Sequence, residues 1–447
     1  MRVGVLGTGH VGLVAAVTLA ELGHDVVATD ADEEKLGMLK RGAPPFFEPG
    51  LEELLQAHAA DGRLSFTSDA ADAVGGADVV FICVGTPATA SGEANLVAVE
   101  RATHAVATHA SRDLVLVQKS TVPAGTATRM RRALRLHDPE SPDRIDVVSN
   151  PEFLREGRAI EDSLNPDRIL VGAESPKALH VMRRLYRPLI DQGCIYIETD
   201  VQTAELAKHA CNAFLALKVS YANALARLCD ISGADVVTVA DTMGCDPRIG
   251  RSFLDAGLGY GGYCFPKDIQ AFDRLAGRLG YDFSLLREIA RINDDAIEAA
   301  VERVKEGLWN LEDKTVALFG LAFKPGTDDV RFAPALTLAR RLISGGARVV
   351  GYDPEAMANA KEEVPELEVA PSPYQAATGA HCVVVCTEWP EFRVLDLKTL
   401  RDVMAYPLVV DGRNLFDPQS MVASGFSYYP TGRPGVNGAP IRVKREP

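Results

Sequence analysis

The chain reads as short, nearly uninterrupted apolar runs set between longer segments whose apolar residues recur at helical spacing. Arg2–Leu6, Asp25–Thr29, 77–84, Leu114–Gln118 and Ile145–Ser149 are of the first kind and predict strands. The alanine-rich segment 13–22 predicts a helix between the first two, ended by Gly23. Continuous apolar strands alternating with helices suit a parallel sheet covered on both faces, whose ligands bind beyond the carboxyl ends of the strands. Far downstream the pattern returns. Thr315–Phe319, a helix over Pro334–Ser344, and Arg348–Tyr352 followed by Asp353 repeat the strand–helix–strand–acid plan of residues 2–30. The segment 379–386 echoes 76–83, and Leu408–Asp411 echoes Leu114–Gln118.

Between the repeats, 200–230 holds neither proline nor glycine and predicts one long helix, with Asp200 as N-cap and Gly233 as stop. A short helical segment follows over 234–243, and further helices run from Asp268 to about residue 310. The expected architecture is α/β. Two Rossmann-like doubly wound domains, 1–199 and 311–447, are joined by a central helical domain, 200–310, built on the long connecting helix and suited to dimerisation.

At 447 residues the chain exceeds one ordinary core, and 47% hydrophobic with 24% charged residues is the balance of a globular protein. A formal net charge of -14 argues against non-specific binding to nucleic acid or anionic membrane. The 8 cysteines are scattered, without a CxxC pair or a Cys/His cluster at zinc spacing. No metal site is expected, and the thiols read as reduced, buried residues of a cytoplasmic protein. The apolar N-terminus lacks a basic leader and a small-residue cleavage pattern, and no uncharged run reaches the ~20 residues of a membrane span. The Pro/Gly-rich tail 431–447 is expected to be loosely ordered.

Chemistry concentrates at the strand ends. Gly7-Thr8-Gly9-His10-Val11-Gly12 lies between strand and helix, and Asp30 ends the next strand. In that setting GxGxxG is the dinucleotide fingerprint: Gly7 makes the tight turn, Gly9 admits a pyrophosphate to the helix N-terminus, and Gly12 lets helix and strand pack. Asp30 would accept ribose hydroxyls and repel a 2′-phosphate, which favours NAD over NADP. Thr86, Thr121 and Glu152 follow later strands and are delivered toward the same crevice. In the second repeat the fingerprint is rewritten as Gly320-Leu321-Ala322-Phe323-Lys324-Pro325-Gly326, with Arg331 close by and Arg413 at a later strand end. Those cations suit a second, non-NAD diphosphate, although a degenerate repeat that only packs would look similar. Lys208 and Asn212 stand four apart on the long helix, where they can aim at one bound group or simply form a solvated face. Residues 259–268, Gly-Tyr-Gly-Gly-Tyr-Cys-Phe-Pro-Lys-Asp, set Cys264 three residues before Lys267. Their glycines give a ligand room to approach, and a nearby ammonium favours the nucleophilic thiolate.

These blocks, together with NPEFLREG at 150–157, NPDRI at 165–169, KSTVPAGT at 119–126 and DGRN at 411–414, resemble the UDP-glucose/GDP-mannose family of nucleotide-sugar dehydrogenases over essentially the whole chain. The likeness is strongest to members acting on UDP-glucose, with GDP-mannose, UDP-N-acetylglucosamine or UDP-N-acetylmannosamine as alternative substrates; an inactive NAD-sensing protein is a further alternative. The resemblance implies a four-electron oxidation of the sugar C6 alcohol to a carboxylate with two NAD+. It implies Cys264 as nucleophile, through a thiohemiacetal and a thioester, with Lys208 and Asn212 stabilising oxyanions and Thr121, Glu152 and Asp268 positioning or activating water. It further implies NAD contacts from Gly7, Gly9, His10, Val11, Gly12, Asp30, Lys35, Thr86, Thr121, Glu156, Lys267 and Arg331. The nucleotide sugar would meet Glu152, Phe153, Leu154, Lys208, Asn212, Arg248, Tyr260, Gly261, Phe323, Lys324 and Arg413, with Arg248 reaching the partner's site in a homodimer.

Overall fold

The computed structural model describes residues 1–435 apart from 88 and 90–92. The chain forms two compact units, one of Met1–Cys211 with Gln270–Tyr281, the other of Asn212–Ile269 with the chain from Asp282 onward.

The first unit is built on an eight-stranded sheet. Its order is Leu64–Thr67, Asp25–Thr29, Arg2–Leu6, Val79–Ile82, Leu114–Gln118, Ile145–Ser149, Arg168–Gly172 and Ile195–Thr199. Strand periodicity deals Val79, Phe81, Val115 and Val117 to one buried face, and Val80, Ile82, Leu114 and Leu116 to the other. Each such side chain contributes about 1.5–3 kcal/mol on burial, so both faces of the sheet are stabilised by helices packed on them. The fully parallel sheet expected from the sequence is corrected at one place. Ile145–Ser149 and Arg168–Gly172 run antiparallel and meet only at Ser149 and Gly172. The chain between them carries Glu152 and remains in one long connection instead of passing through an ordinary crossover. The edge strands 64–67 and 195–199 lack the continuous apolar signature; Ile195 and Ile197 even face solvent, as an edge strand allows.

In the second unit six strands are all parallel, in the order Glu368–Val369, Arg348–Tyr352, Thr315–Phe319, Cys382–Val385, Leu408–Asp411, Ser427–Pro430. The chain visits these positions in the same sequence as it visits the first six strands of the other sheet, so the repeat read from the sequence is a repeat of topology.

The long helix spans Val201–Ser232. Asp200 caps it by accepting the Thr203 amide at 2.8 Å, and Gly233, with φ 78°, ends it. The next long helix begins at Cys264, four residues earlier than expected, and runs to Arg278. Pro266 does not prevent this, because the first-turn amides of a helix have no intrahelical partner to lose. Cys264 therefore opens a helix. The tail is also better held than expected: Thr431 Oγ1 donates to Asp411 O at 3.1 Å, Gly432 N to Asp230 Oδ1 at 3.0 Å, and Arg433 Nε to Asp235 Oδ2 at 3.1 Å. The rest of it, 436–447, lies outside the described residues. Cys83, Cys229, Cys382 and Cys386 are buried as expected, whereas Cys245 is exposed. No described helix is long and apolar enough to cross a membrane.

Candidate active site

In the first unit the fingerprint loop has the shape its glycines predict. A Cβ on Gly12 would run into the Gly7 carbonyl oxygen, so only glycine lets the helix His10–Glu21 sit this close to the strand it follows. At Gly9 the same atom would meet nothing within 4 Å. Gly9 is the N-cap, no side chain caps the helix, and its first turn carries no acid, so its amides are directed at open space. Asp30 Oδ2 accepts from the Thr8 amide and hydroxyl, both at 2.8 Å, and pairs with Lys35 Nζ at 3.0 Å. Burial alone would push this carboxyl up, yet the Thr8 amide, Lys35 and the Thr8 hydroxyl together hold it below the ordinary carboxylate range. An ionised acid at the end of the second strand, beside an open helix N-terminus, fits the ribose and pyrophosphate of NAD. Val11 packs against the core, and His10 stacks on Phe46 at 4.6 Å and lies 2.9 Å from Glu48 Oε2. Glu48, which the sequence reading did not single out, also accepts the amides of Gly157 and Ala159 at 2.8 and 2.7 Å. It thereby ties the 150–159 connection, with half-buried Glu156, to the fingerprint. Thr86 Oγ1 donates to Thr121 O at 2.9 Å, joining two of the predicted strand ends.

Glu152 and Lys208 form a buried ion pair. Oε1 lies 2.9 Å from Nζ, both side chains are 5% exposed, and Oε2 accepts the Leu154 amide at 2.6 Å. The Phe153 ring lies 5.4 Å from Lys208 Nζ and is covered by the Arg168 guanidinium at 3.9 Å. Lys208 is thus no part of a solvated face. Desolvating two charges is favourable only where they compensate each other closely, so their placement is tightly specified.

Asn212, one turn along the same helix, belongs to the second unit and is buried too. Its Nδ2 donates to Asp268 Oδ2 at 2.6 Å, and Asp268 Oδ1 pairs with Lys267 Nζ at 2.8 Å. These residues follow Cys264 on its helix by one turn, so the thiol opens the helix whose next residues are locked by a buried charge network. Lys267 and Arg331 both face the Tyr263 ring, at 5.5 and 4.5 Å, and the Gly262 amide donates to Arg331 O at 3.0 Å. Gly262 takes φ 77°, and a Cβ there would come within 2.7 Å of the Phe323 ring; one on Gly261 would strike Phe332 O. A side chain at either position would therefore run into the protein itself, so the close packing of this segment requires glycine. Tyr260 is held by Asn293, whose Oδ1 accepts its amide at 2.7 Å and whose Nδ2 donates to its carbonyl at 3.1 Å. Asn293 was also not foreseen; its only signal is an amide on the apolar stripe of a helix.

The remaining cations divide. Lys324 Nζ lies 5.4 Å from the Phe323 ring, and Arg413 Nε donates to Cys386 O at 2.7 Å beside Glu388 at 3.3 Å. Arg248 stands apart, its side chain 87% exposed and paired with its neighbour Asp246. Asp353, the counterpart of Asp30, is buried and accepts from the amides of Leu321 and Ala322 and from Trp389 Nε1 on one oxygen, and from Glu355 and Ala356 on the other. An acid consumed by its own loop has no capacity left for a ribose. The second repeat departs from dinucleotide chemistry at that point. No group of His, Cys, Asp and Glu that could hold a metal occurs among the described residues.

Comparison with known proteins covers nearly the whole chain. Three domains of the UDP-glucose/GDP-mannose dehydrogenase family match in order: the NAD binding domain over 1–190, the central domain over 202–295 and the UDP binding domain over 317–418. The UDP-glucose 6-dehydrogenase of Rhizobium meliloti (strain 1021) is 44% identical, across 97% of this chain and 100% of that protein. UDP-glucose 6-dehydrogenase YwqF of Bacillus subtilis (strain 168) is 43% identical, across 98% of each. Among solved structures, a UDP-glucose dehydrogenase from the hyperthermophilic archaeon Pyrobaculum islandicum superposes with a TM-score of 0.89 at 38% identity, over 96% of this chain and 97% of that one.

Proposed function

The chain belongs to the UDP-glucose/GDP-mannose dehydrogenase family, and on that premise we propose how its residues carry out the reaction. It is an NAD-dependent oxidoreductase that takes the C6 alcohol of UDP-glucose to the carboxylate of UDP-glucuronate. The observation that carries the residue assignment is the thiol of Cys264 opening the helix that holds buried Lys267 and Asp268. A two-electron alcohol dehydrogenase has no use for a nucleophile so placed.

NAD+ supplies the hydride acceptor, once per two-electron step. Its contacts are assigned to Gly7, Gly9, His10, Val11, Gly12, Asp30, Lys35, Thr86, Thr121, Glu156, Lys267 and Arg331. Phe153, Leu154, Arg248, Tyr260, Gly261, Phe323, Lys324 and Arg413 are assigned to the nucleotide sugar. After the alcohol has lost a hydride and a proton, the Cys264 thiolate adds to the aldehyde carbon, and the oxygen of the broken π bond takes up a proton to give a thiohemiacetal. Loss of that proton and a second hydride leaves a thioester. Water then attacks the thioester carbon, the C–S bond breaks, the thiolate leaves, and the product departs as a carboxylate. Lys208 and Asn212 stabilise the oxygen anions of these steps, and Thr121, Glu152 and Asp268 orient water and move protons.

We assign the domains to 1–199, 200–310 and 311–447, in keeping with the three family matches. A homodimer is supported by Phe214, Tyr221 and Leu228, exposed at seven-residue spacing on the long helix, with Ile231 beyond them. The solvent-facing guanidinium of Arg248 is available to a partner's site. The free cysteines accord with a cytoplasmic location. Purified protein given limiting UDP-glucose and excess NAD+ should form about two NADH per sugar; a ratio of one would remove the thioester half of the scheme.

A further inference from the structure

The helix Thr126–His137 has no side-chain cap of its own and no acid in its first turn. Its N-terminal amides are satisfied instead from the long helix, 78–80 residues away in sequence. Glu205, 3% exposed, accepts the Gly125 amide on one carboxylate oxygen at 2.6 Å and the Ala127 amide on the other at 2.9 Å. A glutamate placed here solely as a cap would act on stability alone. Its neighbours show a further consequence. Lys208, three residues on, holds Glu152, and His209, four residues on, has Nε2 2.9 Å from Val122 O. One turn of one helix thus grips the 121–127 connection at two points and the strand end at Glu152 at a third. Thr121 lies inside the gripped connection, its carbonyl accepting from Thr86. Burial pushes the Glu205 carboxyl up, and the Ala127 and Gly125 amides oppose this, so the group is retained in a place costly for a charge.

We propose that Glu205 is a positioning residue for the reaction: it fixes the Thr121 connection against the helix that presents Lys208, so that Thr121 and Lys208 keep one register during both oxidations. The proposal rests on the assignment of Thr121 and Lys208 to catalysis. Glu205 touches neither substrate nor cofactor in this scheme. Glu205→Ala frees two amides and lets the connection shift. A displacement on the order of 1 Å lowers a catalytic rate by up to about a hundredfold.

The experiment is a double-mutant cycle of Glu205→Ala with Thr121→Ala, measuring kcat and the KM for UDP-glucose per folded enzyme, well below the unfolding temperature. Glu205→Ala should lower kcat by about ten- to a hundredfold with the KM for UDP-glucose nearly unchanged, and Glu205→Gln, which keeps one acceptor oxygen, should fall between it and wild type. The double variant should be little worse than Thr121→Ala, because the two losses share one cause. If Glu205→Ala does not fold, Glu205→Gln takes its place in the cycle. Wild-type kcat in the Glu205 variant, or losses that multiply independently, would overturn the proposal. A silent Thr121→Ala beside a damaged Glu205→Ala would instead sink the assignment of Thr121, and with it the route proposed for Glu205.

Discussion

Lys208→Met tests the buried ion pair most directly. Methionine keeps the length and much of the volume of the lysine stem and removes the ammonium. The Glu152 carboxylate, 5% exposed, then loses the cation 2.9 Å from Oε1 and keeps the Leu154 amide at 2.6 Å on Oε2. Stranding one charge of a buried pair costs about 3–5 kcal/mol. That is a large part of the roughly 5–15 kcal/mol by which a protein is stable. Adding Glu152→Gln removes the stranded charge while retaining an oxygen for the Leu154 amide, and should restore all but about 1 kcal/mol. Activity should not follow. Both variants lack the ammonium to which oxyanion stabilisation is assigned in the proposal, and on that assignment should lose about 10²–10³ in kcat. Urea unfolding followed by circular dichroism gives the stabilities, and nicotinamide absorbance gives the rates. The reasoning fails if Lys208→Met unfolds at the wild-type urea concentration, or if the double variant is as unstable as the single one.

Other substitutions separate roles that the sequence cannot. Cys264→Ser should nearly abolish turnover while NAD binding, read by calorimetry, stays intact; a fully active variant would exclude the thioester. Gly12→Ala forces a Cβ into the Gly7 carbonyl and should cost about 1–3 kcal/mol of stability. Gly9→Ala meets open space, so it should fold as wild type yet bind NAD more weakly; equal affinity would place the pyrophosphate elsewhere. Because Asp30 is held below its ordinary value, its contribution to stability is complete above the ordinary carboxylate range and is lost as pH falls through the lowered folded value. Asp30→Asn should therefore flatten the acid limb of a stability–pH curve and admit NADP, and an unchanged limb would show that the acid is not held as described.

How much could be read in advance depended on where each interaction lies along the chain. The fingerprint at Gly7–Gly12 and Asp30 was legible because its geometry is set by residues within one strand–helix–strand unit. The continuous apolar strands were legible for the same reason, since burial on both faces leaves its mark on every position. The strands at 64–67 and 195–199 were less so, because their polar or solvent-facing residues blur the signal. The helix at Cys264 starts four residues before the expected Asp268, and Pro266, standing in its first turn, breaks nothing.

The sequence by itself determined the two repeats, the long helix between them and the choice of NAD over NADP, all properties carried by local spacing and residue type. Tertiary structure alone decided which polar groups are charged partners and which are scaffolding. Lys208 became a buried partner of Glu152 across 56 residues, and Asn212 a donor to Asp268 across 56 more. Glu48, Glu205 and Asn293 acquired their roles only when distant amides were left without partners inside the fold. The physical reason is that a buried polar group must be satisfied by whatever the fold brings beside it, and spacing along the chain does not record that neighbour.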